Sequence, residues 1–178
     1  TFGRFDGIKL DMWEGGVRVP TLVRWPSRVK AGSESDTASQ FHDWMATFCD
    51  IAGIQAPAVS DGVSLVSSLV GEGKQLQGIV YSEMRIGSKT PNFSEFQANR
   101  RGRSRGQMQS VLIGDYKGIR VNIESHQSVF EVYNTINDPE ETTNLAGKSY
   151  VPTQQQFQAA VLRSRRIDPL APRPYDDG

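Results

Sequence analysis

The chain has 178 residues, 37% of them hydrophobic and 22% charged, and its 20 Lys and Arg balance its 20 Asp and Glu. That length suffices to bury a core, while the zero net charge gives no global footprint for nucleic acid. No apolar run approaches the roughly 20 residues of a membrane span, and a single cysteine excludes an internal disulfide framework or a cysteine-based zinc site.

The first informative run is Gly7-Ile8-Lys9-Leu10-Asp11-Met12-Trp13-Glu14-Gly15-Gly16-Val17-Arg18-Val19-Pro20. Gly7, Gly15 and Gly16 can take positive φ, which lets the backbone turn tightly on both sides of Lys9. Val17, Val19, Leu22, Val23 and Trp25 then predict a strand that Pro26 ends. Its unbroken apolar stretch suits a sheet covered on both faces. A lysine on a rigid loop beside such a strand suits an anionic substrate, because one compact ammonium meets several oxyanion oxygens. Spacing alone equally allows a solvated lysine at a turn.

A polar connection, residues 27–36, leads to a predicted helix in which Phe41, Trp44, Met45, Phe48 and Ile51-Ala52 recur at helical spacing and Gly53 is the stop. Ser39 or Asp43 is placed to cap it. Cys49 reads as a small core residue, and His42 as a cap or turn residue with no catalytic set around it. Turns at Ala56-Pro57 and Ser60-Asp61-Gly62 precede a short apolar connector from Val63 to Val70. Four strands follow: Gly78 to Arg85, Met108 to Ile113, Tyr116 to Ile123, and Val129 to Tyr133, with Gly114-Asp115 as a hairpin turn. They predict a small antiparallel sheet.

Between the first two strands lies a loop rich in Gly, Ser and Asn. In it Arg85, Lys89, Arg100, Arg101, Arg103 and Arg105 face only Glu95. Near the end, Thr153 and Gln156 form a capping-box pattern before a helix whose apolar face is Phe157, Ala160 and Val161. The proline-rich stretch from Asp168 to Pro174 is expected to be extended or frayed.

Taken together, these segments resemble the C-terminal portion of type I sulfatases, of the alkaline-phosphatase-like superfamily. Gly7 to Pro26 is similar to the family segment that carries an active-site lysine, and Asp43, Thr47 and Ala52-Gly53 match its D-x-x-x-T-x-x-x-x-A-G element. Asp61-Gly62-Val63-Ser64-Leu65 resembles D-G-x-S-L, and Leu112-Ile113-Gly114-Asp115-Tyr116-Lys117 resembles R-x-G-D-x-K with Leu112 in place of the arginine. Phe130 to Ala146 resembles the ending E-L-Y-N-L-x-x-D-P-x-E-x-x-N-L-A.

The resemblance implies an α/β to α+β fold: the end of the large α/β catalytic domain over residues 1–74, then a small C-terminal subdomain over residues 75–178 with a four-stranded antiparallel sheet and a final helix. It implies sulfate-ester hydrolysis by the intact parent, on a sulfated carbohydrate or aryl sulfate, and an extracytoplasmic setting: periplasmic, secreted or lysosomal. Lys9 is the catalytic residue it carries over, as a donor to the ester, and Arg85, Arg103 and Arg105 are candidate substrate-binding residues. The family's formylglycine, made from a C/S-x-P-x-R motif, and its calcium ligands are expected in the missing N-terminal portion, since Cys49 is followed by Asp50-Ile51-Ala52. This chain is therefore expected to hold no cofactor of its own, to be inactive alone, and to have neither nucleic acid nor membrane as partner. Two other functions fit the same residues: a non-catalytic module that binds sulfated glycans, and a related phosphoester or phosphonate hydrolase.

Overall fold

Gly114 and Asp115 close a two-residue hairpin between strands paired from Ile113 opposite Tyr116, and Gly114 takes φ 57°, which suits a residue without Cβ. The computed structural model describes residues 3–167 and residue 170, so the expected extended stretch from Asp168 to Pro174 falls, but for Leu170, outside the described residues. From the hairpin the sheet extends in both directions in chain order, all antiparallel: β1 Tyr81–Lys89, β2 Ser104–Ile113, β3 Tyr116–Arg120 and β4 Glu131–Asn134. The four predicted strands are all present. β2 starts at Ser104, earlier than the apolar pattern suggests, because its first half is polar and satisfied across the sheet: Gln107 donates to Glu83 and Gln109 to the Tyr81 hydroxyl.

One face of the sheet packs on α4 (Gln154–Ser164), whose capping box closes as the sequence predicts: Gln156 N–H donates to Thr153 Oγ1 at 3.3 Å and Thr153 N–H to Gln156 Oε1 at 2.8 Å. Phe157, Ala160 and Val161 meet Val111, Phe130 and Val132 there. Each large apolar side chain fully buried in this layer stabilises the fold by about 1.5–3 kcal/mol. The opposite face carries Met108, Ile119 and Tyr133 and is covered by Met12 and Trp13 from the N-terminal segment. The described residues up to Val19 and from Tyr81 onward thus form one compact unit, and Pro20–Val80 forms another. The expected boundary at residue 74 lies near the second junction, but the Lys9 segment packs with the sheet unit.

The strand predicted from Val17 to Trp25 is not formed. Val17 ends the short helix α1 (Glu14–Val17), residues 18–25 have no regular secondary structure, and Leu22 is 96% exposed. A strand needs a neighbour to take its backbone hydrogen bonds, and among the described residues none pairs with this segment.

In the second unit, α2 (Phe41–Ile51) and α3 (Val66–Val70) are joined through the D-x-x-x-T element. The N-cap is Gln40, not Ser39 or Asp43; Asp43, three residues on, accepts from Gln40 N–H at 2.8 Å and from Val63 N–H at 2.9 Å. Thr47 Oγ1 donates to Asp43 O and accepts from Leu65 N–H. Both motif residues therefore face inward, with Ala46 and Cys49, while Phe41, Met45, Phe48 and Ile51 are exposed. The predicted apolar face of this helix is real, but within this unit it is the outer one.

Candidate functional site: the Lys9 turn and its buried supports

Lys9 sits at the apex of the turn from Ile8 to Asp11, closed by Asp11 N–H donating to Ile8 O at 2.9 Å. Lys9 and Leu10 are exposed, and Leu10 has φ 75°, a left-handed conformation that costs a residue with a side chain about 1–3 kcal/mol. Such a turn persists only if its surroundings impose it. The glycines around it act differently from the sequence expectation. Only Gly7 has positive φ, at 95°. Gly15 and Gly16 are helical residues of α1, and a Cβ there would lie 2.6 Å from the Asp6 and Gly7 carbonyl oxygens or 2.5 Å from that of Asp11. They allow the turn to lie directly on the helix.

Three acidic residues anchor this segment, each matched by a cation from the sheet region. Asp6 pairs with Arg100 at 3.0 Å and accepts from Gln97 N–H. Asp11 pairs with Arg105 at 2.6 Å and accepts from Ile8 N–H at 3.0 Å. Glu14 pairs with Lys117 at 2.7 Å and with Arg18, and its backbone N–H donates to Glu141 at 2.8 Å. Lys117 also meets Glu141 at 3.0 Å. Arg100 is 1% exposed, lies 3.6 Å from the Trp13 ring centroid, and donates to the Glu141 carbonyl.

Burial raises the Glu14 carboxyl, but Lys117 and Arg18 outweigh it and hold the group below its ordinary range. Glu141 goes the other way, pushed up by burial and by the neighbouring Glu14 charge despite Lys117. Burial, then a hydrogen bond to Glu131, pushes the Tyr133 phenol far above its usual range, so it stays a neutral donor.

The arginine-rich region is ordered rather than open. Thr90 N–H donates to Arg103 O and Gly102 N–H to Thr90 O, closing the segment between β1 and β2 at its neck. Arg101 is folded onto the carbonyls of Phe96 and Ser94. Arg103 holds Glu131 and remains partly exposed, and Arg85 is exposed on β1. Arg105, expected to meet substrate, is instead buried and shared among Asp11, Ser88 and the Lys89 carbonyl, and its Nε, which has no partner, is itself buried. Asp6, Asp11, Glu14, Lys117 and Glu141 are site residues that the sequence reading does not single out. The signal was available for all but Asp6, because Asp11, Glu14, Lys117 and Glu141 each fall in a quoted family segment.

Among the described residues, no group of three or more His, Cys, Asp or Glu side chains is arranged to hold a metal ion. The buried carboxylates do not fit a calcium cage, since Asp6, Asp11, Glu14 and Glu141 are each matched to Arg or Lys. None of the described helices is long and apolar enough to cross a membrane.

Residues 1–166 match the family model described as N-sulphoglucosamine sulphohydrolase, C-terminal. An N-acetylglucosamine-6-O-sulfatase of Bacteroides thetaiotaomicron is 30% identical over 165 residues, covering 92% of this chain and 27% of that protein. An arylsulfatase K of Xenopus laevis is 28% identical over 88% of this chain and 27% of its own length. A solved structure described as a complex with its substrate D-glucosamine-2-N,6-O-disulfate aligns with TM-score 0.53 and 25% identity, over 79% of this chain and 26% of the other. The chain thus spans about a quarter of the length of these relatives. By these matches the chain belongs to the sulfatases, as a C-terminal portion of the N-sulphoglucosamine sulphohydrolase type.

Proposed function

We propose that this chain supplies Lys9 to the site where the intact protein binds and hydrolyses the sulfate ester of a sulfated carbohydrate. One observation carries the reading: an exposed lysine stands on a strained turn that three buried ion pairs hold in place. Surface lysines are seldom supported in this way. Lys9 would donate hydrogen bonds to the ester oxygens, and these strengthen as charge builds on the oxygen leaving sulfur. The turn that carries it is held beforehand, so its backbone needs little reorganisation at the moment of reaction. The nucleophile and the metal ligands belong, in this reading, to the part of the protein outside this chain. Support for a sulfated sugar comes from the glucosamine sulfatase relative and from the aligned structure described with its disulfated glucosamine.

Arg85 and Arg103 remain the candidates for holding neighbouring sulfate or carboxylate groups of the glycan. The test is steady-state kinetics of the full-length enzyme on a sulfated oligosaccharide and on a small aryl sulfate. Lys9→Ala should lower kcat on both by on the order of 10²–10³. Arg85→Ala should raise KM on the oligosaccharide alone. Near-normal kcat for Lys9→Ala on both substrates would overturn the reading. Preference for a phosphate or phosphonate ester would favour the related hydrolases, and tight glycan binding without turnover would favour a binding module.

A further inference from the structure

Arg105 is nine-tenths buried and lies outside the candidate substrate surface, yet one of its three hydrogen-bond partners, Asp11, belongs to the Lys9 turn. We propose that Arg105 is a positioning residue for Lys9, acting through Asp11; this rests on the reading of Lys9 given above. One guanidinium nitrogen, Nη2, donates to Ser88 Oγ and to the Lys89 carbonyl, both at 3.1 Å, which fixes the arginine to the end of β1. The other, Nη1, donates to Asp11 Oδ1 at 2.6 Å. The second Asp11 oxygen accepts from Ile8 N–H at 3.0 Å, and Asp11 N–H donates back to Ile8 O at 2.9 Å. Asp11 therefore closes both ends of the turn that carries Lys9, and Arg105 fixes Asp11. The planar, forked guanidinium suits this task, because a single cation spans three acceptors in fixed directions.

The sheet register is arranged for the same contact. Between Arg85 and Ser88 the β1–β2 pairing shifts, so that Ile86 and Gly87 together oppose Gly106, with Gly87 at φ 68°. Without this bulge, continuing the pairing of Arg85 with Gln107 would place Gly87 opposite Arg105. The extra residue puts Ser88, which has a hydroxyl, in that position. The left-handed Leu10 beside Lys9 shows that the turn is imposed from outside and is not locally preferred.

Two measurements on Arg105→Gln and Arg105→Lys test the proposal. The first is amide hydrogen exchange of the chain. Ile8 and Asp11 amides should lose protection in Arg105→Gln while Ile119, in the sheet core, keeps it. Arg105→Lys, which retains the charge but not the fork, should fall between, and it serves should Arg105→Gln fail to fold. Unchanged exchange at Ile8 in a folded variant would overturn the hold of Arg105 on the turn.

The second is a double-mutant cycle in kcat with Lys9→Ala in the full-length enzyme. A displacement of about 1 Å can cost roughly 10²-fold, so Arg105→Gln should lower kcat by about that factor in wild type. In the Lys9→Ala background it should cost less than about threefold. Equal losses in both backgrounds would show that Arg105 does not act through Lys9. Near-normal kcat for Lys9→Ala would instead refute the catalytic reading of Lys9, while the exchange result would still decide whether Arg105 orders the turn.

Discussion

Lys117 Nζ lies 2.7 Å from Glu14 Oε1, a contact across 103 residues of sequence that ties the helix behind the Lys9 turn to the third strand of the sheet. The same ammonium reaches Glu141 at 3.0 Å, so one buried cation serves two carboxylates. Removing one member of such a set leaves uncompensated buried charge. Lys117→Met is expected to destabilise the chain by about 3–5 kcal/mol in denaturant unfolding. A loss below about 1 kcal/mol, the range of an exposed pair, would show that the site is wetter than its geometry implies.

The two carboxylates respond to pH in opposite senses. Glu141 is raised above its usual 4.5, so its contribution is full below that value and is lost as pH rises through the native pKa. Glu14 is lowered, so its contribution is present above 4.5 and is lost as pH falls through its native pKa. Glu141→Gln should therefore remove a decline in unfolding free energy that the wild type shows above pH 4.5. The groups facing Glu141 are Lys117, Glu14 and Arg100. Parallel stability curves for wild type and variant from pH 4.5 to 7.5 would contradict the assignment.

On the other face, a Cβ at Gly118 would lie 2.5 Å from the Phe157 ring. Phe157 is wholly buried and has no room to retreat, so Gly118→Ala should cost about 1–3 kcal/mol. The cost should shrink in a Phe157→Leu background, because the smaller side chain yields space. Additive losses in that pair would place the strain elsewhere.

Helix α2 presents Phe41, Met45 and Phe48 on its outer side, with Phe48 61% exposed. Apolar stripes of this kind mark contact surfaces. Phe48→Ser is expected to leave unfolding within about 0.5 kcal/mol of wild type while reducing concentration-dependent self-association in sedimentation. A wild-type chain that stays monomeric at high concentration would contradict the expectation that these side chains drive association.

Much of the sheet unit was legible in the sequence because its signals are local. Gly114-Asp115 marks its hairpin, Thr153 and Gln156 cap α4, and Phe157, Ala160 and Val161 form an apolar face, all as the structure has them. The failures arose where the cause is remote. The apolar run after Val17 suggests a strand, but a strand exists only with a neighbour, and no local pattern supplies one. The apolar stripe of α2 is legible in the sequence but its exposure is not, since periodicity shows that a stripe exists but not what covers it. Arg105 read as a surface cation because its partner Asp11 lies 94 residues away. Charge runs in sequence carry no record of the acids that neutralise them.

The long separations also fix the order in which the molecule can assemble. The supports of the Lys9 turn beyond the segment itself wait for later chain, among them Gln97 at 91 residues, Arg105 at 94, Lys117 at 103 and Glu141 at 127. Closing such loops costs entropy before any contact repays it, whereas the β2–β3 hairpin needs only two residues to turn. The hairpin should therefore form early, and the Lys9 segment, although it precedes the hairpin in the sequence, should settle last. In pulse-labelled refolding, amides of Ile8 and Glu14 are expected to gain protection after those of the hairpin, and simultaneous protection would refute this order. By this order a refolding chain acquires a stable sheet before it has a place for Lys9.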